Sequence, residues 1–131
     1  MYMLDTNICS YVRRARPARV LEHFLQHDPD LLCVSEIVAA ELYYGAQRLH
    51  SPRAAALRDD IDDFLSRLNV LPWQGRFAYA RIRNHLESIG KPVGNNDLLI
   101  AAHAVTLGAT LVTNNLREFE RIPDLKVENW A

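Results

Sequence analysis

Long-range charge is nearly absent from this chain, because 15 Lys and Arg against 16 Asp and Glu leave a formal net charge of −1 over 131 residues. The molecule as a whole therefore has little field with which to draw in nucleic acid. Cysteine is also scarce. Cys9 and Cys33 each sit among apolar neighbours, which fits two reduced, buried thiols in a cytoplasmic protein better than a disulfide framework. No apolar run approaches the ~20 residues needed to cross a bilayer. The N-terminal residues lack a basic segment followed by an apolar stretch and a small-residue cleavage site, so nothing marks export and a cytoplasmic location is expected. Internal repeats, low-complexity tracts and long linkers are missing too. Hydrophobic residues make up 49% of the chain, too many for a disordered one. The length fits one domain, residues 1–131, that buries about two-thirds of its unfolded surface.

What is present starts with Tyr2, Met3 and Leu4 running straight into Asp5, Thr6 and Asn7. That order reads as a short buried strand delivering a carboxylate, with two small polar residues, to a loop. Further strand-like segments are Leu31 to Val34, Val70 to Leu71, Thr110 to Val112 and, more weakly, Lys126 to Val127. Helical patterns separate them, and this βαβ alternation predicts an α/β fold with a mostly parallel sheet covered on both faces.

Pro17 suits a helix first turn, after which Val20, Leu21, Phe24 and Leu25 form an apolar stripe with His23, Gln26 and His27 pointing elsewhere. His23 and His27 have ligand-like i, i+4 spacing, but with no third ligand nearby they read as an exposed pair. Ser35 is a plausible N-cap for a helix through Glu41, Tyr44 and Ala46, in which Gly45 marks a close packing contact. From Pro52, the positions Leu57, Ile61, Phe64, Leu65 and Leu68 make an amphipathic stripe that turns Asp59, Asp62 and Asp63 outward as a solvated face. A helix from Gln74 to Ile89 has Phe77, Ile82, Leu86 and Ile89 as its apolar positions and Gly90 as its stop. Leu98 to Leu107 is apolar nearly all round and so should be buried. Asn95 or Asn96 caps that helix and Asp97 lies in its first turn, where the macrodipole favours a carboxylate. His103, alone among apolar residues, reads as a hydrogen-bonded core or edge residue. Gly108 ends the helix, and Thr113, Asn114 and Asn115 open a polar loop before Glu118.

In an open parallel sheet, ligands bind beyond the carboxyl ends of the strands, where the strand order reverses. Asp5 follows the first strand, Glu41 lies in the helix after the second, Asp97 opens a later helix, and Asn115 and Glu118 follow the fourth strand. If these ends share one mouth, their carboxylates repel unless a cation sits among them. Oxygen ligands without clustered cysteine or histidine indicate a hard ion, Mg2+ or Mn2+. Such a site suits phosphodiester hydrolysis, in which the metal polarises the phosphate, lowers the pKa of an attacking water and stabilises the leaving oxygen. Taken singly, each acid also has a plain reading: a strand end, an ion pair, an ordinary N-terminal helix acid. Arg13, Arg14, Arg16 and Arg19, just beyond Asp5, read either as a solvated helix face or as phosphate contacts.

Four stretches together are distinctive: Leu4-Asp5-Thr6-Asn7, Ala40-Glu41-Leu42-Tyr43-Tyr44-Gly45-Ala46, Asn96-Asp97-Leu98-Leu99-Ile100-Ala101-Ala102-His103-Ala104, and Val112-Thr113-Asn114-Asn115 leading to Arg117-Glu118-Phe119. In this order they resemble the acidic motifs of PIN domains, and more closely the VapC toxins of bacterial type II toxin-antitoxin systems. The resemblance runs nearly the whole length, to Glu128-Asn129-Trp130. It implies a single PIN-like domain, a doubly wound sheet of order 3-2-1-4-5, and a Mg2+-dependent endoribonuclease that cleaves RNA and blocks translation. Asp5, Glu41 and Asp97 match the three core metal-binding acids. The family often has aspartate where this chain has Asn115, so Glu118 is expected to serve the second metal or orient water, with Asn115 and Thr113 in supporting hydrogen bonds and Thr6 and Asn7 as further supporting polar residues. Asn95 stands where proline is common. The resemblance further implies a tRNA substrate, in some members the anticodon stem-loop of initiator tRNA. Arg13, Arg14 or Arg16 would hold flanking phosphates. It also implies a VapB-type antitoxin whose C-terminal segment fills the groove, and toxin homodimers. The helices from Ser35 to Leu68 offer apolar faces for that partner. The rival readings are a metal-dependent DNase or phosphatase using the same acids, and a catalytically silent PIN-like binding module.

Overall fold

In the computed structural model, which describes residues 1–131, the short apolar runs become five parallel strands in the order β3-β2-β1-β4-β5. The strands are β1 (Tyr2–Leu4), β2 (Leu32–Ser35), β3 (Asn69–Leu71), β4 (Thr110–Val112) and β5 (Lys126–Glu128). Seven helices connect them: α1 (Thr6–Arg14), α2 (Ala18–Gln26), α3 (Glu36–Gln47), α4 (Arg53–Leu65), α5 (Arg76–Ser88), α6 (Asn95–Leu107) and α7 (Leu116–Phe119). None of these helices is long and apolar enough to cross a membrane. The expected architecture and strand order are both present.

The sheet is doubly wound because the chain steps outward from β1 through β2 to β3, then returns to the opposite side of β1 with β4. β1 and β4 are in register from Tyr2 opposite Thr110 to Leu4 opposite Val112, and the Asp5 amide extends this ladder to the Val112 carbonyl at 3.0 Å. The reversal therefore lies between the carboxyl ends of these two strands, which is where an open α/β sheet forms its crevice. Met3, Leu4, Cys33, Val34, Leu111 and Val112 are fully buried there, as continuous apolar strands under helices on both faces must be. Both cysteines are free; burial pushes the Cys33 thiol up to about 11 and holds Cys9 well above its ordinary range.

Several local expectations are corrected. Asp5 enters no loop: its side chain accepts from the Ile8 amide at 2.9 Å and so caps α1, which starts at the next residue. Leu31 belongs to a 3-10 turn, Pro29–Leu31, and not to β2. Leu25, Phe77 and Ile89 lie on apolar stripes by spacing yet are 70%, 81% and 46% exposed, so those stripes are narrower than their periodicity indicates. Asn95 and Asn96 both lie inside α6, after Gly94 at the N-cap, and neither caps it. Gly45 meets no packing neighbour within 4 Å of where a Cβ would stand. The outward turn of Asp59, Asp62 and Asp63 is as expected.

His23 and His27 are half-buried rather than exposed. Both rings stack on Trp130, with centroids 5.6 and 4.6 Å away, and Tyr2 closes the cluster edge-on to His27. Trp130 is 1% exposed, and its indole N–H donates to Glu128 at 2.8 Å, so the chain end is pinned to α2. His103 is fully buried as expected for a core residue, but neither ring nitrogen has a hydrogen-bond partner. Desolvation holds its imidazole below the ordinary histidine range.

Candidate active site

Each acid is delivered by a different element, and each by a local reason. β1 and the cap geometry of α1 fix Asp5, which is 6% exposed. Ser35 caps α3 through a 3.2 Å bond from the Ile37 amide, which sets the helix on which Glu41 projects inward a turn and a half later. Asp97 occupies the first turn of α6, and Glu118 lies on the single turn of α7 beyond β4. The four carboxylates meet at the mouth of the β1–β4 crevice.

Electrostatics shows how close they come. Asp97 is raised to about 7, first by burial, then by the charges of Glu118, Glu41 and Asp5 and by its hydrogen bond with Glu118. Asp5 is also raised, chiefly by burial, with Glu41 adding to the shift and the Thr113 hydroxyl and Ile8 amide opposing it.

Only neutral donors answer these charges. Thr6 Oγ1 donates to Glu41 Oε1 at 2.5 Å and Asn96 Nδ2 to Glu41 Oε2 at 3.3 Å. Asn115 Nδ2 donates to Glu118 Oε2 at 2.5 Å, and the Gly94 amide to Glu118 Oε1 at 3.3 Å. Thr113, fully buried, accepts from the Asn115 amide at 3.0 Å and so shapes the loop that presents Asn115. Thr6, Thr113 and Asn115 thus make hydrogen bonds within the site, Thr6 to Glu41, whereas the Asn7 side chain is exposed and makes no hydrogen bond to the acids. Sequence reasoning missed Asn96 and Gly94 as supports. Asn96 adjoins Asp97 on the first turn of α6, and that adjacency was the available signal.

As the side chains stand, no three acidic, histidine or cysteine groups are disposed to hold one cation directly. Thr6 and Asn96 hold Glu41 by hydrogen bonds, and Asn115 and the Gly94 amide hold Glu118 in the same way. The donor set still fits a hard divalent ion: it is all oxygen, its neighbours are uncharged, and Asp97 is raised to about 7 by burial and then by repulsion from the three other acids. A cation would remove that repulsion, and both glutamates have the rotatable bonds to turn toward it.

The arginines divide. Arg13 is 10% exposed and bonded to Asp60 at 2.7 Å, so it ties α1 to α4. Arg14 and Arg16 are exposed, at the far end of a helix whose nine residues span about 13 Å from Asp5.

The PIN domain family's sequence profile matches residues 2–125. The chain is 49% identical over 133 aligned positions to Ribonuclease VapC2 of Haemophilus influenzae, covering 99% of this chain and 98% of that protein. It is 41% identical to the tRNA(fMet)-specific endonuclease VapC of Salmonella typhimurium, again covering 99% and 98%. Among solved structures, the DNA-bound VapBC complex of Salmonella typhimurium superposes with a TM-score of 0.91 at 39% identity, over 99% of this chain and 98% of that one.

Proposed function

This chain belongs to the PIN-domain family, within it to the VapC ribonucleases, and we propose that it is the Mg2+-dependent endoribonuclease toxin of a VapBC pair, cleaving tRNA and thereby inhibiting translation. The observation that carries this reading is the convergence of Asp5, Glu41, Asp97 and Glu118 on one crevice, with Asp97 raised to about 7 by burial and then by the others. Four such acids have no role in a silent scaffold, where they only cost stability.

Asp5, Glu41 and Asp97 would hold the ion and Glu118 would complete its surroundings, with Mn2+ able to substitute. When bound, the metal supplies Lewis-acid stabilisation of the phosphate and a water of lowered pKa. The protein's own residues do the rest. Thr6 and Asn96 orient Glu41, Asn115 and the Gly94 amide orient Glu118, and the Asp5 cap keeps its carboxylate from turning away. Arg14 and Arg16, a helix length from Asp5, are placed for phosphates beyond the cut rather than at it.

The similarity to proteins solved as VapBC complexes supports a VapB-type antitoxin as partner. The name of the Salmonella typhimurium relative, a tRNA(fMet)-specific endonuclease, supports initiator tRNA as substrate.

The test is to incubate purified protein with tRNA, mRNA and single-stranded DNA, each with Mg2+ and with chelator. Metal-dependent cleavage of tRNA is expected. Cleavage of DNA alone would reject the ribonuclease assignment, and no cleavage of any nucleic acid would favour the binding module.

A further inference from the structure

Glu41 and Tyr44 on α3 and Arg48 at its C-cap recur at i, i+3 and i+7, so they share one face of that helix. This face forms a wall of a groove of about 530 Å³ that Thr6 and Asn96 also line, and of the four acids Glu41 reaches it. Tyr44 is 64% exposed, a large ring left uncovered beside a charged site. The Arg48 guanidinium lies 5.6 Å from its ring centroid, a cation–π contact that holds the two side chains together. Gly45, next to Tyr44, also lines the groove, and a Cβ there would meet nothing within 4 Å. A glycine inside a helix costs roughly 0.5–1 kcal/mol against alanine, and here no packing contact explains it. Its effect is a floor of bare backbone beside an exposed ring.

We propose that Tyr44 is a stacking platform for an unpaired base adjoining the scissile bond, with Arg48 on the neighbouring phosphate and Gly45 leaving room for the nucleotide. This rests on the ribonuclease reading and adds to it that the substrate must be single-stranded where it enters the groove. Three observations favour RNA over a peptide as occupant. The ring is flat and sequence-tolerant, as a base platform has to be. The one cation beside it suits a phosphate. Glu41 lines the groove together with Tyr44, so a strand lying on Tyr44 has one of the site's acids beside it.

The experiment measures binding of a fluorescein-labelled single-stranded RNA 12-mer, by anisotropy, in an Asp5→Asn background that prevents turnover. Tyr44→Ala should weaken binding about 5- to 100-fold, the range for loss of one base–aromatic stack. Tyr44→Phe should remain within about 2-fold, because the ring and not the hydroxyl does the stacking. Arg48→Ala should weaken binding and reduce the salt dependence by roughly one phosphate contact. Gly45→Ala, which removes a helix glycine and therefore folds at least as well, should also weaken binding. In the active protein Tyr44→Ala should raise KM for RNA more than it lowers kcat.

Tyr44→Ala and Gly45→Ala both within about 2-fold of the parent would overturn the platform while leaving the nuclease intact. Loss of antitoxin binding with unchanged RNA binding would overturn it as well and make the groove a protein-docking surface. If the parent neither binds nor cleaves RNA, the ribonuclease reading itself fails.

Discussion

With its carboxyl raised to about 7 by burial and by Glu118, Glu41 and Asp5, Asp97 still holds a proton in the folded chain at pH values where the unfolded chain has lost it. Between roughly pH 4 and 7 the native state therefore binds more protons than the unfolded state, and this side chain's contribution to stability declines as pH rises through that window. Asp97→Asn removes the titration without changing the shape. In chelator, the variant should gain stability over the parent progressively from about pH 4 to about pH 7 and hold a constant advantage above it, as read by thermal melts. The difference between the two proteins isolates Asp97 from His103. The lowered imidazole of His103 acts with the opposite sign, since the unfolded chain takes up its proton first as pH falls below about 6.5. The same substitution should abolish RNA cleavage with Mg2+. A variant that is no more stable than the parent at pH 8, or that still cleaves at the parent rate, would remove Asp97 from the cluster.

The helix that carries Asp97 is held from beneath by α5. Gly75, the N-cap of α5, has φ +144, and a Cβ there would lie 3.0 Å from the backbone carbon and oxygen of Ala102 in α6. Trp73 fixes the same region from the preceding segment, its indole N–H donating to the Leu99 carbonyl at 2.9 Å. Gly75→Ala combines a disfavoured backbone conformation with a backbone clash, so about 2–3 kcal/mol of lost stability is expected in urea denaturation. Because α6 must shift to relieve the clash, cleavage should fall as well, beyond what the unfolded fraction explains. Elements like these divide what was legible in advance. The strands, Ser35 as a cap and the buried α6 could be read because periodicity and capping chemistry are local properties, whereas the four acids stood out from the chain's other carboxylates only through the order of the motifs that carry them. The α1 start at Thr6 was missed because Asp5 serves as strand end, helix cap and site acid together, and a pattern search assigns one role per residue. The half-buried His23 and His27 were missed because Trp130, more than a hundred residues away, decides their environment. Leu25 and Phe77 fail for the converse reason, since apolar spacing says which face a residue is on and not whether anything covers it.

At the scale of the whole molecule, the β1–β4 reversal draws four acids from four elements to one end of the sheet, so folding itself assembles the repulsion. Nothing in the unfolded chain brings Asp5, Glu41, Asp97 and Glu118 together, and a divalent ion that needs all of them therefore binds only the native state. Its free energy adds directly to stability, about 2.7 kcal/mol at a hundredfold excess over Kd. The pH dependence follows from the proton on Asp97: at pH 5 a metal must displace it, whereas at pH 8 it has already gone. Mn2+ or Mg2+ should thus raise the melting temperature more at pH 8 than at pH 5, and the increment should shrink sharply in Asp97→Asn. The sign is opposite to that of the metal-free protein, in which the Asp97 charge weakens the fold as pH rises. A crossover follows, with chelated protein losing this part of its stability as pH rises from about 4 to about 7 and metal-loaded protein regaining it. Equal metal-induced shifts at both pH values would show that the ion does not use Asp97, and the crevice would then need another account.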